Sequence, residues 1–350
     1  MRIVNSFKTH KEVQRPVGRF APSPTGRMHM GNLFSYLIQY LLVKKEKGSV
    51  ILRIEDLDTA RSKQCFIDQC LRDFEFFGLS YDGEVVYQSK RNDAYLDAFE
   101  LLKKKDLVYP CFCSRASLNV LSAPHPGEEF IYPGICKTLS PENLCMVSQV
   151  KDPSYRVIVP ERYSEFFDIF QGSQCVYMPT QIGDFVVRRA DKLFAYQLAV
   201  VVDDYASGVN TVVRGHDLLS STHKQNYLAH LLGYANKENS LPSSECRSSF
   251  GKTQSLAEGE KQSSNQLISY GHVPLLVTKE GVRLSKRNKD ASLELLVDEL
   301  KWSPDKVLSY LAALAGIIPE GEICSLDVLV DQADLSALNG VSSIIWKNPL

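Results

Sequence analysis

The sequence predicts an α/β protein: a parallel sheet with crossover helices, an inserted module and a short helical C-terminal region. Three observations carry this. From Val17 to about Lys104, short apolar runs alternate with amphipathic ones. At Tyr109-Pro110 the pattern gives way to a stretch rich in Cys, Pro and Tyr. Beyond residue 180 the alternation resumes.

Residues 1–15 read as a loose polar extension. Val17–Ala21 predicts the first strand, stopped by the turn Pro22-Ser23-Pro24-Thr25-Gly26, and the apolar run Leu33–Val43 predicts the helix after it. Val50–Ile54 predicts a buried strand. Phe66, Ile67, Cys70, Phe74 and Phe77 fall on one face of a helix over 58–77, and another helix follows over 91–103. Residues 16–109 thus form the first half of the main domain, and 110–180 the insertion, with β-like runs such as Tyr155–Val159. Over 181–235 the second half resumes, with strands expected at Asp184–Arg188, Tyr196–Val202 and Thr211–Gly215 and a helix over His223–Leu232. The polar, Ser-rich segment 236–267 reads as a mobile insertion. Residues 268–350 hold an apolar run, a basic loop and helices expected at Ala291–Leu300 and Pro304–Leu314.

Composition narrows the class. The chain has 44% hydrophobic and 23% charged residues and no apolar run long enough to span a bilayer. With no signal-peptide core at the N-terminus, it reads as cytoplasmic, with no membrane partner. A net charge of −1 restricts any nucleic-acid contact to local patches. Lys44-Lys45-Glu46-Lys47 and Lys103-Lys104-Lys105 are candidates, although both also fit solvated helix ends. Nine cysteines, an odd number, argue against a disulfide framework.

Three separated segments carry the chemistry. In the first, Arg19–Asn32, a strand ends in a rigid turn and a helix begins at His29 and Gly31. Backbone N–H groups, a small residue and an imidazole then meet at one point, which suits a polyphosphate. The second, Arg53-Ile54-Glu55-Asp56-Leu57-Asp58, delivers carboxylates at the end of a strand. The third, Arg283-Leu284-Ser285-Lys286-Arg287, is a basic loop. In open α/β sheets ligands sit beyond the carboxyl ends of strands, so the three segments can meet around a triphosphate.

Taken together, Arg-Phe-Ala-Pro-Ser-Pro-Thr-Gly-x-x-His-x-Gly, Arg-Ile-Glu-Asp-Leu-Asp and Leu-Ser-Lys-Arg resemble the class I aminoacyl-tRNA synthetases of the glutamate branch. The resemblance covers roughly 16–232 and 268–315. It departs at Asn32, where the best-known form has a second His, and at Arg283, where Lys is usual. It implies a Rossmann-like parallel sheet and the activation of glutamate with ATP and Mg²⁺. By the same resemblance Arg19, Phe20, Ala21, Pro22, Ser23, Glu55, Tyr196 and Arg214 bind glutamate. Two guanidiniums, one carboxylate and a hydroxyl complement two carboxylates and one ammonium. His29, Gly31, Asn32, Ser285 and Lys286 would bind ATP, with His29 and Lys286 stabilising charge as pyrophosphate leaves.

The insertion carries Cys111-Phe112-Cys113 and Tyr132-Pro133-Gly134-Ile135-Cys136. Thiolates favour a tetrahedral Zn²⁺, and a second arm can supply the fourth ligand. The Tyr-x-x-x-Cys arm is similar to that of the glutamyl-Q tRNA(Asp) synthetase family, which implies one structural zinc on Cys111, Cys113, Tyr132 and Cys136. Cys145 and His125 are alternatives to Tyr132. The run Phe194–Asp204, with Val200 where glutamyl-tRNA synthetases typically have Asn, resembles the same family. So does the short region after the basic loop, where no separate anticodon-binding domain is expected. The resemblance implies transfer of glutamate to the queuosine base of tRNA(Asp) by a monomer. A truncated glutamyl-tRNA synthetase charging tRNA(Glu) and a silent tRNA-binding paralogue are the competing expectations.

Overall fold

The computed structural model describes residues 15–114, 118, 131–234, 268–284 and 293–347. Its centre is a parallel sheet in two adjoining parts. Strand β1 (Val17–Phe20) pairs parallel with β2 (Ser49–Ile54), and β2 with β3 (Val86–Tyr87). Beside β1 lies β9 (Thr211–Gly215), which pairs parallel with β10 (Ser269–Val273). Beyond β10 come β6 (Tyr163–Asp168), parallel to it, and β7 (Gly172–Tyr177), antiparallel to β6.

The seam between β1 and β9 is made largely by side chains. Asn210 accepts from the Val17 amide through Oδ1 at 2.7 Å and donates its own N–H to the Val17 carbonyl at 3.0 Å. Gln39, buried on helix α1 (Met30–Lys45), accepts from the Val213 amide at 2.7 Å. A Cβ on Gly18 would come within 2.5 Å of Gln39 Nε2, so glycine at 18 lets the amide lie in the seam. Strand order reverses there, and a crevice opens beyond the strands' carboxyl ends.

A separate three-stranded antiparallel sheet forms the second part of the molecule, from β4 (Val108–Cys111), β5 (Ser154–Val157) and β8 (Phe185–Arg188). It shares a core with helices α3 (Asn92–Lys104), α6 (Tyr196–Ala206) and α7 (Leu219–Leu232). Helix α2 (Gln64–Phe76) packs instead into the first core, together with α8 (Pro304–Leu314) and α9 (Leu326–Gln332). In sequence between α3 and α6 lie α4 (Pro141–Ser148) and the short α5 (Met178–Gln181), whose Met178 is buried in the second core.

Several expectations are corrected here. Tyr196–Val202 is the start of a helix rather than a strand. Leu198–Asp204 are all buried, so the helix shows no polar stripe and its short apolar run reads as a strand. The Asp184–Arg188 region does not return to the parallel sheet, because β8 pairs antiparallel with β5. Conversely, β6 and β7, from within 110–180, join the sheet of β9 and β10. The helix expected over 58–77 begins at Gln64, and the one over 291–300 is a π-helix, Glu294–Glu299. Cys175 is disulfide-bonded, while the other described cysteines are free, so no disulfide framework is present among the described residues.

The residues after 315 belong to the first core. Strand β12 (Ser343–Ile345) pairs parallel with β11 (Leu275–Val277), and Leu329, Leu338 and Trp346 are buried there. The two lysine clusters end helices: Lys44 pairs with Asp82 at 3.0 Å, Lys45 reaches the Ala333 carbonyl, and Lys105 donates to the Leu231 carbonyl at 2.9 Å. Among the described residues no helix is long and apolar enough to cross a membrane.

Candidate active site

A cleft of about 420 Å³ opens at the carboxyl ends of β1, β2, β9 and β10. Arg19, Ala21, Pro22, Ser23, His29, Gly31, Asn32, Glu55, Tyr196 and Arg214 all line it, although they come from four separate stretches of chain. The Glu55 amide donates to the Pro22 carbonyl at 2.9 Å, which fastens the turn after β1 to the end of β2. Phe20 is the exception. Its side chain leaves the strand on the opposite face from Arg19 and is fully buried, stacked on Phe74 with ring centres 4.8 Å apart. Its side chain belongs to the first core, not to the cleft.

His29 is the N-cap of α1 in extended conformation, and its carbonyl accepts from the Asn32 amide at 2.9 Å. A Cβ on Gly31 would lie 3.1 Å from the imidazole Cε1, so glycine gives the ring room at the helix start. On the far side, the Arg283 guanidinium donates to Asp217 at 2.6 Å, and both residues line the cleft. Arg283 and Leu284, the first residues of the basic segment, therefore lie at the cleft rim. Ser285 and Lys286 lie outside the described residues.

Beneath Arg19 and Glu55 sits a buried set of charges that the sequence reading left without a role. Arg53, with no exposed surface, donates to Asp204 Oδ1 at 2.5 Å and to Glu55 Oε1 at 3.2 Å. Asp203 accepts from Arg91 at 2.5 Å, Tyr95 at 2.8 Å and Gln88 at 2.9 Å. Asp204 also faces Arg19, with Nε at 3.4 Å. Among the described residues no hydrogen bond engages the two Nη atoms of Arg19, which lines the cleft. Burial raises the Glu55 carboxyl above its ordinary value, with Arg53 and Arg19 pulling the other way. Burial also pushes Asp204 up, but Arg53 and Arg19 outweigh it and hold the carboxyl below the usual range. The signal for this set was the Asp203-Asp204 pair within an apolar run, since two buried carboxylates require cations.

The opposite wall is built differently. Arg214 Nε donates to His272 Nε2 at 2.9 Å, Nη1 to Gln225 at 2.8 Å, and Nη2 to Thr222 at 2.7 Å and the Leu218 carbonyl at 3.3 Å. All four partners are neutral acceptors. Burial lowers the His272 imidazole to about 4, which keeps it uncharged. Tyr196, the first residue of α6, lies between the walls, its phenol raised by burial.

In the second part of the molecule Cys111, Cys113 and Cys136 bring their sulfurs within 4.8 Å of one another. The Cys113 and Cys136 sulfurs are 3.6 Å apart. Around a tetrahedral metal with 2.3 Å metal–sulfur bonds the expected separation is about 3.8 Å. The Tyr132 hydroxyl is 3.5 Å from Cys113 Sγ, so a fourth donor stands beside the three thiols. Arg156 donates to Cys111 Sγ at 3.2 Å and stacks over the Tyr132 ring at 3.8 Å. Cys145 is exposed on α4 and is not among the clustered thiols, and His125 lies outside the described residues. The donor set fits a metal ion.

Residues 17–244 match the family model for the catalytic domain of class I tRNA synthetases of the E and Q type. The chain is 41% identical over 280 residues to a glutamyl-Q tRNA(Asp) synthetase of Geobacter sulfurreducens, covering 79% of this chain and 77% of that one. The chain belongs to the glutamyl-Q tRNA(Asp) synthetase family. A second member, from Symbiobacterium thermophilum, is 36% identical over 333 residues and aligns with 92% of this chain and 93% of its own length. The fold also matches a solved glutamate tRNA ligase from Elizabethkingia meningosepticum. That match has a TM-score of 0.73 at 23% identity and covers 96% of this chain and 68% of that one. Membership makes the chain an enzyme of the ligase class, and the cleft at the strand ends is its candidate active site.

Proposed function

We propose that the protein activates glutamate with ATP, without needing tRNA, and transfers it to the queuosine base in the anticodon loop of tRNA(Asp). The observation that carries this is the identity, sustained over 79% and 92% of the chain, to two relatives named for that reaction. The cleft supports it with the Arg19 and Arg214 guanidiniums and the Glu55 carboxylate in its lining, which complement glutamate.

In this reading the substrate is its own nucleophile. A glutamate carboxylate oxygen attacks the α-phosphorus of ATP, the bond to the β-phosphate breaks, and pyrophosphate leaves. The protein contributes alignment and charge stabilisation. Arg19 and Arg214 hold the two carboxylates, Glu55 takes the ammonium, and Tyr196, Ala21, Pro22 and Ser23 shape the pocket. His29, Gly31 and Asn32 receive the phosphates at the start of α1, Ser285 adds an ATP contact, and Lys286 neutralises departing pyrophosphate. Mg²⁺ enters with ATP. One zinc ion held by Cys111, Cys113, Cys136 and Tyr132 would tie β4 to the segment around 132–136; its role is structural. The same reading places the enzyme in the cytoplasm as a monomer.

The deciding experiment supplies labelled glutamate and ATP with queuosine-containing tRNA(Asp) or with tRNA(Glu). Label on tRNA(Asp) alone is expected. Label only at the 3′ end of tRNA(Glu) would establish the truncated-synthetase alternative. Absence of glutamate-dependent ATP–pyrophosphate exchange at any glutamate concentration would favour a silent tRNA-binding protein. Elemental analysis should find about one zinc per chain, lost in Cys111→Ser/Cys136→Ser.

A further inference from the structure

Behind Arg214, away from the cleft, lies a buried chain of polar groups. Arginine has five N–H donors, and four of those on Arg214 are engaged within the protein. The fifth, on Nη1, is left for a ligand. Its direction depends on how the guanidinium plane is held, and the Nε bond to His272 is one of the holds.

That bond requires a particular tautomer. Arg214 Nε–H can only donate, so His272 Nε2 must accept, and the ring proton must sit on Nδ1. Asp168 Oδ2 lies 2.5 Å from Nδ1 and receives it. Asp168 Oδ1 accepts three backbone N–H groups, from Phe170, Gln171 and His272, each at 3.0 Å. Asp168 and His272 have no exposed surface, so no solvent competes for these bonds. The Thr222 hydroxyl, which accepts from Arg214 Nη2, is 3.3 Å from His272 Nε2 and can donate to it.

We propose that Asp168, acting through His272, is a positioning residue for Arg214: its carboxylate selects the histidine tautomer that turns an acceptor toward the guanidinium. This rests on the reading of Arg214 as a glutamate ligand. Burial pushes the Asp168 carboxyl up, but its bonds from His272 and the backbone prevail and keep it ionised, as an acceptor must be.

Asp168→Asn tests the idea with little change of shape. The amide carbonyl keeps the three backbone bonds, while the NH₂ replaces the oxygen facing Nδ1. The ring proton then moves to Nε2, where it opposes the Arg214 Nε–H. Nitrogen NMR of the His272 ring should show the exchange of tautomers. In ATP–pyrophosphate exchange the KM for glutamate should rise about tenfold or more, with the KM for ATP within about twofold. His272→Gln places a carbonyl near the Nε2 position independently of Asp168. It should raise the glutamate KM less, and adding Asp168→Asn to it should have no further effect. His272→Met, which removes the acceptor, should reproduce the Asp168→Asn defect and serves if that variant does not fold.

A flipped tautomer with an unchanged glutamate KM overturns the proposal. So does an equal rise in both KM values, or an equal effect of Asp168→Asn with and without His272→Gln. If Arg214→Met leaves the glutamate KM unchanged, the reading of the cleft fails. If Arg214→Met raises it and Asp168→Asn does not, the relay alone fails.

Discussion

The two walls of the cleft hold their arginines in opposite ways. On the side of β1 and β2, Arg19, Arg53 and Arg91 face Asp203, Asp204 and Glu55, so cations and carboxylates balance. On the side of β9 and β10, Arg214 is held by an imidazole, an amide, a hydroxyl and a carbonyl. A carboxylate that orients an arginine also neutralises it; a neutral acceptor orients it and leaves its charge available. The first wall is thus suited to a zwitterionic group beside Glu55, and the second to an isolated anion. Paired charges make the first wall rigid but costly to disturb, and the second wall depends on histidine staying uncharged.

Acid is the most severe test of that difference. Burial lowers the imidazoles of His272 and His223 to about 4, below the ordinary 6.5. Between those values the unfolded chain binds protons that the folded chain does not, so stability falls as pH drops through this window. Each histidine should account for on the order of 3 kcal/mol. Asp168, with its lowered carboxyl, acts in the same direction, and Glu55, with its raised one, in the opposite direction. Urea midpoints from pH 7 to pH 4 measure the balance, and a flat profile would break the account of the neutral wall.

Arg53→Met should cost about 3–5 kcal/mol in urea unfolding, because it strands the buried Asp204 and Glu55 carboxylates. Arg214→Met leaves only neutral acceptors and should cost less, about 1–3 kcal/mol. Its larger effect should be on the glutamate KM. Equal stability losses in the two variants would erase the distinction between the walls. The smallest effect is expected from Glu55→Gln, which keeps an acceptor for Arg53 but loses the charge opposite an ammonium. An increase of about tenfold in the glutamate KM, with the unfolding midpoint little changed, is the expected result.

Most of the cleft was legible because its residues carry local signals. A Pro-rich turn, a glycine at a helix start and carboxylates at a strand end each announce a backbone feature. The supporting residues carry none. His272 sits in the strand run Gly271-His272-Val273, where a buried neutral histidine and a surface one read alike. Its meaning comes from Asp168, 104 residues away. Phe20 was drawn into the site by its neighbours in the motif, although strand alternation sends its ring to the core. The division at residues 110 and 180 misses the sheet boundaries for a related reason. Pairings such as β8 with β5, or β10 with β6, depend on partners that local composition does not mark.

The two cores also differ in how much of the chain each requires. One uses buried residues between Tyr95 and Leu232; the other needs residues from Phe20 to Trp346. During synthesis the antiparallel part can therefore complete its interior while the ribosome still holds the remainder. The core beneath the cleft must wait for Leu338 and Trp346, and for the separate pair of β11 with β12 beside the cleft rim. A nascent chain halted near residue 300 should thus resist protease in α3, α6 and α7, which share that core, yet bind no ATP. The enzyme acquires its chemistry only with the last of its core.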